Sequence, residues 1–141
     1  MANKIEQEIN RLKDFVVKHP ENAFDDGCKI YDSPLIGYAS ADDALFNELK
    51  KPEIIGPEHW SPKEWMPNSK TVISYFLPFC AKVRNSNKGL GLPSEQVTSA
   101  YINGFNNTVR KYLVDLVYSL GGQAMAPVLQ DTWHWQNLIS N

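Results

Sequence analysis

Apolar side chains recur at helical spacing from the start of the chain. Ile5, Ile9, Leu12 and Val16 fall at steps of four, three and four, so they share one face of an amphipathic helix over 3–18. Pro20 disfavours helical backbone at His19 and stops that helix. A loop rich in Asp, Asn and Gly runs through Gly27, and the stretch 35–39 predicts a short strand. Ser40 has the form of a helix N-cap, with Asp42 and Asp43 in the first turn. The short helix it opens carries Leu45, Phe46 and Leu49, and Pro52 ends it. Ser61-Pro62-Lys63-Glu64 is a fuller start signal: a capping serine, proline at the first helical position and glutamate three residues after the cap. Pro67 limits that helix to a turn or two.

The stretch 71–79 is β-branched, aromatic and nearly continuous in apolarity, which predicts a strand covered on both faces. The polar, glycine-bearing segment 81–92 reads as a loop. Pro93-Ser94 opens the longest helix, over 94–120, with Val97, Tyr101, Phe105, Val109, Tyr112, Leu113, Leu116, Val117 and Leu120 in its apolar stripe. Gly121-Gly122 terminates it, and 123–129 reads as a second buried strand. Strand, helix and strand make a βαβ unit with a long crossover helix and parallel neighbouring strands. The fold class is therefore α/β (α+β), a single domain over 1–141 with helices at its N-terminal side. The tail from Gln130 carries Trp133, Trp135, Leu138 and Ile139 without a clear period. An apolar surface or strand edge is expected to lack cover so close to the chain's end. The expected partner is a second copy, giving a homodimer, or a missing C-terminal half; a tail folded back as a lid is the alternative.

Composition narrows the function classes. The 141 residues fit one domain, and the net charge of −2, with 16 acidic against 14 basic residues, gives no basic footprint for nucleic acid. No apolar run approaches the roughly 20 residues of a membrane helix. The first residues lack the apolar core of a signal peptide, so no membrane partner is expected and the expected compartment is cytoplasmic. Two cysteines, Cys28 and Cys80, are too few for a disulfide scaffold or a cysteine-ligated cluster and read as reduced thiols.

No residue pattern forms a complete catalytic site. Gly89-Leu90-Gly91 precedes a helix but lies well beyond the strand, and Pro93 removes a backbone donor, so the fit to a dinucleotide-binding turn is poor. His19, His59 and His134 have no partner at metal-ligand spacing, and Ser74 lacks the flanking glycines of a nucleophile elbow. The adjacent pairs Asp25-Asp26 and Asp42-Asp43 suit loop and helix-start positions. Lys82, Arg84 and Lys88 form a small basic cluster, read as anion-binding or as a solvated loop. A bound ligand is expected beyond the C-terminal end of the 71–79 strand, lined by Pro78, Arg84, Asn85, Asn87 and Tyr101.

Three ordered segments carry a resemblance. They are Pro34-Leu-Ile-Gly-Tyr-Ala-Ser-Ala-Asp-Asp-Ala-Leu-Phe46, then Trp65-Met-Pro-Asn-Ser-Lys-Thr-Val-Ile-Ser-Tyr-Phe-Leu-Pro-Phe79, then Asn85-Ser-Asn87 with Pro93-Ser94. Together they resemble the N-terminal region of epoxyqueuosine reductase-like iron–sulfur proteins, which are related to reductive dehalogenases. The resemblance spans roughly 31–127. It implies part of a nitroreductase-like fold that holds a cobalamin, followed in full-length relatives by a ferredoxin-like part with two [4Fe–4S] clusters. Members of the family reduce epoxyqueuosine in transfer RNA. The family's Trp-Ser-x-Arg-His segment, glycine-rich turn, acidic catalytic residue and cluster cysteines have no counterpart here. The expectation is an N-terminal domain inactive alone, with no catalytic residue and no cofactor of its own. It could be an isolated domain, a truncated paralogue or half of a split protein. The alternative is a stand-alone binding or interaction module that kept the fold and lost the chemistry. A flavin enzyme, by analogy with the nitroreductase-like fold, is the third.

Overall fold

The computed structural model describes residues 2–89 and 91–131. Among these, six helices accompany a two-stranded antiparallel sheet, a mixed α+β arrangement. The first helix, α1, spans Ala2–Lys18 and buries Ile9, Leu12 and Val16, the face that the four-three-four spacing predicts. Strand β1 is Leu35–Ser40, and β2 is Thr71–Phe76. Between them lie two one-turn helices, α2 (Leu45–Glu48) and α3 (Pro62–Trp65). After β2 come α4 (Ala81–Ser86), α5 (Glu95–Ile102), α6 (Phe105–Ser119) and a 3-10 turn at Pro127–Leu129.

The core forms where α1, α6 and the segment before β1 meet. Ile9, Leu12, Val16, Ile30, Tyr31, Ala100, Phe105, Val109 and Leu113 make one buried cluster. The ring of His19, just past α1, lies 5.3 Å from Phe105 at the start of α6, and Phe15 stacks on Tyr112 at 3.9 Å. Stepping back along α1 thus means stepping forward along α6, so the two helices run antiparallel. Phe105 is 1% exposed, and a fully buried phenylalanine stabilises by about 2–3 kcal/mol.

The sheet lies on this core by one face. Leu35 pairs with Phe76, Ile36 with Tyr75, Tyr38 with Ile73 and Ser40 with Thr71. Ile36, Ile73 and Tyr75 pack against the core, and the Tyr75 hydroxyl reaches Asn106 Oδ1 of α6 at 2.5 Å. The opposite face carries Leu35 and Phe76, directly across from each other and 66% and 62% exposed.

Asn22 ties α1 to the segment entering the core. It is 2% exposed. Its Nδ2 donates to Val16 O and to Tyr31 O, each at 2.9 Å, and its Oδ1 accepts from Tyr31 N–H at 2.8 Å. Its carbonyl accepts from Ile30 N–H at 3.3 Å, and its own N–H donates to His19 O at 3.1 Å.

Several expectations are corrected. The strand expected over 71–79 ends at Phe76 and pairs with β1 alone among the described residues; Ile73 and Tyr75 pack on the core while Ser74 and Phe76 on the other face are exposed, so the strand is not covered on both faces. The strand expected over 123–129 does not form. Pro127 has no N–H to give a ladder and opens the 3-10 turn instead. The parallel βαβ unit therefore does not form, and the sheet is antiparallel. The helix expected over 94–120 is two helices. Gly104 adopts a left-handed φ of 75°, and Asn103 Oδ1 accepts from Phe105 N–H at 3.2 Å, which starts α6 afresh. The bend turns Tyr101 out of the apolar stripe, 81% exposed, while Phe105 stays inside. The loop expected over 81–92 contains α4, whose Val83 is buried. Ser40 ends β1 rather than capping a helix, and Asp43 Oδ1 accepts from Leu45 N–H at 2.9 Å where α2 begins.

Other terminal signals match. Ser94 Oγ accepts from Val97 N–H at 3.2 Å to cap α5. Gly121 N–H donates to Tyr118 O at 2.9 Å and Gly122 N–H to Val117 O at 3.0 Å, a Schellman closure of α6. Glu64 accepts from Ser61 N–H at 2.6 Å at the start of α3. The tail residues Trp133, His134, Trp135, Leu138 and Ile139 lie outside the described residues.

Two predictions follow from these bonds. Asn22→Ala leaves Val16 O, Tyr31 O and Tyr31 N–H without their buried partner and is expected to cost about 2–4 kcal/mol in urea unfolding. The second concerns pH. Lys50, 2.6 Å away, and then the Ser61 N–H hold the Glu64 carboxyl at about 2, below its ordinary 4.5. A depressed folded pKa gives stability that is whole above about 4.5 and lost as pH falls toward about 2. Glu64→Gln is expected to flatten the fall in stability across that window, measured as melting temperature against pH.

Candidate functional site

The C-terminal end of β2 gathers part of the expected ligand site. The chain segments 31–32 and 78–79 run antiparallel through a bridge between Tyr31 and Phe79, whose rings stack at 5.3 Å. Asp32 N–H donates to Pro78 O at 2.8 Å, and Cys80 N–H to Ile30 O at 2.8 Å. Arg84, on α4, donates to Phe79 O and lies 3.4 Å from Asp32 Oδ2. Pro78 and Arg84 thus share Asp32, a partner that local sequence gave no reason to choose.

The remaining expected residues stand apart from that pair. Asn87 caps the C-terminus of α4, and its Oδ1 accepts from Ser94 N–H at 2.8 Å. Ser86 Oγ and Ser94 Oγ lie 2.8 Å apart, so the end of α4 is tied to the N-cap of α5. Asn85 is exposed on α4, and Tyr101 is exposed on α5. The amide oxygen of Asn87 and the guanidinium of Arg84 are engaged within the chain.

Two concave surfaces lie elsewhere. One, of about 200 Å³, is lined by Phe24, Asp26, Lys82, Glu95, Gln96 and Ser99. A second, about 500 Å³ and open to solvent, runs along Arg11, Phe15, Lys18, His19 and Tyr112. Arg11 is paired with Glu8 at 2.6 Å, and His19 Nδ1 accepts from Glu21 N–H at 3.2 Å, so the polar groups there already have partners. Of the basic trio, Lys82 contacts Asp26 and Cys28, and Arg84 contacts Asp32. The Asp26–Cys28–Lys82 contact joins residues more than fifty positions apart, and no local pattern announces it.

The fit to the implied cofactors is limited. A typical cysteine-ligated [4Fe–4S] cluster takes four thiolates, and the chain has two cysteines, so its own residues do not fit one. No group of three or more His, Cys, Asp or Glu side chains among the described residues could hold a metal ion. Pockets for drug-sized ligands run to roughly 300–1,000 Å³. A corrinoid is larger still, and neither of these two concavities encloses one.

Burial raises the Tyr31 hydroxyl above its ordinary value, and burial does the same for Tyr75. Both stay neutral near pH 7 and act as hydrogen-bond donors: Tyr31 to Ala100 O at 3.4 Å, Tyr75 to Asn106.

Arg84 and Asp32 are both about half exposed, so solvent screens their pairing. Arg84→Gln is expected to cost less than about 1 kcal/mol in urea unfolding, which makes it a clean probe of binding. Comparison of the chain with protein-family models, curated proteins and solved structures finds no match in any of the three.

Proposed function

We propose that the chain is the N-terminal domain of an epoxyqueuosine reductase-like corrinoid and iron–sulfur oxidoreductase, part of a nitroreductase-like fold and inactive alone. The observation that carries this reading is the convergence of the three resembling segments. Pro34–Phe46 contains β1 and Trp65–Phe79 contains β2, and the two strands pair in continuous register. Asn87 and Ser94, from the third segment, are bonded side chain to backbone. Stretches scattered along the sequence thus supply two linked structural units rather than unrelated surface loops.

In this reading the chain contributes one wall of a cofactor site, with Arg84 and Asn87 rigidly held and Tyr101 presenting an exposed ring. Cobalamin, when bound in such an enzyme, supplies a reactive cobalt centre. The chain's own residues would position it and exclude water along one side. Reductive chemistry and both clusters would belong to a C-terminal half.

The exposed Leu35–Phe76 pair favours a second reading, a stand-alone interaction module that self-associates through the outer sheet face. A cobalamin titration of the isotope-labelled chain, followed by amide NMR shifts, separates the two. The corrinoid reading predicts shifts at Phe79, Arg84, Asn85, Asn87 and Tyr101, weakened by Arg84→Gln. Unchanged spectra, together with a dimer by light scattering that Phe76→Lys dissociates, would replace it with the second reading.

A further inference from the structure

The turn from Phe24 to Lys29 is closely held. Gly27 adopts a left-handed φ of 78°, Phe24 N–H donates to Cys28 O at 2.9 Å, and Asp26 Oδ1 accepts from Cys28 N–H at 2.9 Å. Both backbone polar groups of Cys28 are thereby fixed. Lys82, in the first turn of α4, reaches across to this turn. Its Nζ lies 2.8 Å from Cys28 Sγ and 3.4 Å from Asp26 Oδ2. The sulfur first, and then Asp26, hold the lysine's pKa above its ordinary value. Asp26 and Lys82 also line the concavity of about 200 Å³ with Phe24, Glu95, Gln96 and Ser99, which leaves room for a small molecule beside the cluster. The cluster is open to solvent, with the Lys82 and Asp26 side chains 57% and 60% exposed.

Cys80 gives the chain its own comparison. Its Sγ donates to the Lys29 carbonyl oxygen at 3.0 Å. The Cys28 sulfur thus lies between the Lys82 ammonium and the Asp26 carboxylate, two residues that line the cavity, and the Cys80 sulfur faces a carbonyl. Cations beside sulfur mark reactive thiols, because the thiolate is the nucleophile.

We propose that Cys28 is a site of two-electron oxidation by a hydroperoxide, with Lys82 supporting the step. The Cys28 thiolate attacks one peroxide oxygen. A sulfur–oxygen bond forms, the oxygen–oxygen bond breaks, sulfur is oxidised and the peroxide is reduced. The departing hydroxide or alkoxide takes a proton from the Lys82 ammonium and leaves as water or an alcohol. The lysine regains a proton from solvent, where the thiol proton went, and Cys28 is left as a sulfenic acid, the reversible first rung of thiol oxidation. None of this depends on the corrinoid reading.

The test treats the folded full chain with hydrogen peroxide, traps sulfenic acid with dimedone and quantifies the two cysteine peptides by mass spectrometry. Cys28 is expected to label several-fold faster than Cys80. Lys82→Gln is expected to slow Cys28 and leave Cys80 unchanged, and Lys82→Arg, which keeps the charge, to retain more of the rate. Equal labelling of the two cysteines in the unsubstituted chain overturns the proposal whether or not the variants fold. An unchanged Cys28 rate in a folded Lys82→Gln variant overturns it as well.

Discussion

The Asn22 carboxamide directs its oxygen and both N–H donors at backbone: the carbonyl near the end of α1 and both polar groups of Tyr31. A buried amide with every group matched is strongly directional, because each lost partner leaves a desolvated dipole behind. It fixes where the chain goes after α1. It also sets the depth at which Tyr31 enters the core, and the other packing follows from Tyr31. The Tyr31 ring stacks on Phe79 and approaches Phe105 at 6.2 Å, and its hydroxyl reaches Ala100 O. One side chain thereby joins the exit of β2, the start of α6 and the end of α5.

That junction also decides which surfaces are available for function. With the inner sheet face held by Ile36, Ile73 and Tyr75, the outer face is left with Leu35 and Phe76 in the open. The bend at Gly104 lets α6 follow α1 while α5 turns away, and it leaves Tyr101 on the surface. The polar residues around Arg84 and Asn87 hold the scaffold together rather than converge on an empty pocket.

The sequence made some of this legible and concealed the rest for identifiable reasons. The α1 stripe with Pro20 behind it, the caps at Ser61 and Ser94 and the glycine pair after α6 are local signals, and each holds in the structure. The division of α5 from α6 was hidden because the four-residue spacing of Val97, Tyr101, Phe105 and Val109 runs straight through the break. The stretch 123–129 reads as a strand by apolarity alone, but a strand needs a partner edge and a donor at every second residue, and Pro127 withholds one. At the candidate site, Pro78 and Arg84 each contact Asp32. Their tie to Asp32, and the Cys28–Lys82 contact, are long-range pairings with no periodic trace in the chain.

The account rests on the Asn22 junction being the rigid centre of the fold, and native-state hydrogen exchange addresses that directly. The amides of Ile30 and Tyr31, bonded to Asn22, are expected to exchange only through global unfolding, at the same free energy as Val109 and Leu113 in α6. Fast exchange at Ile30 and Tyr31 while α6 stays protected would contradict it, since the segment would then open without the core.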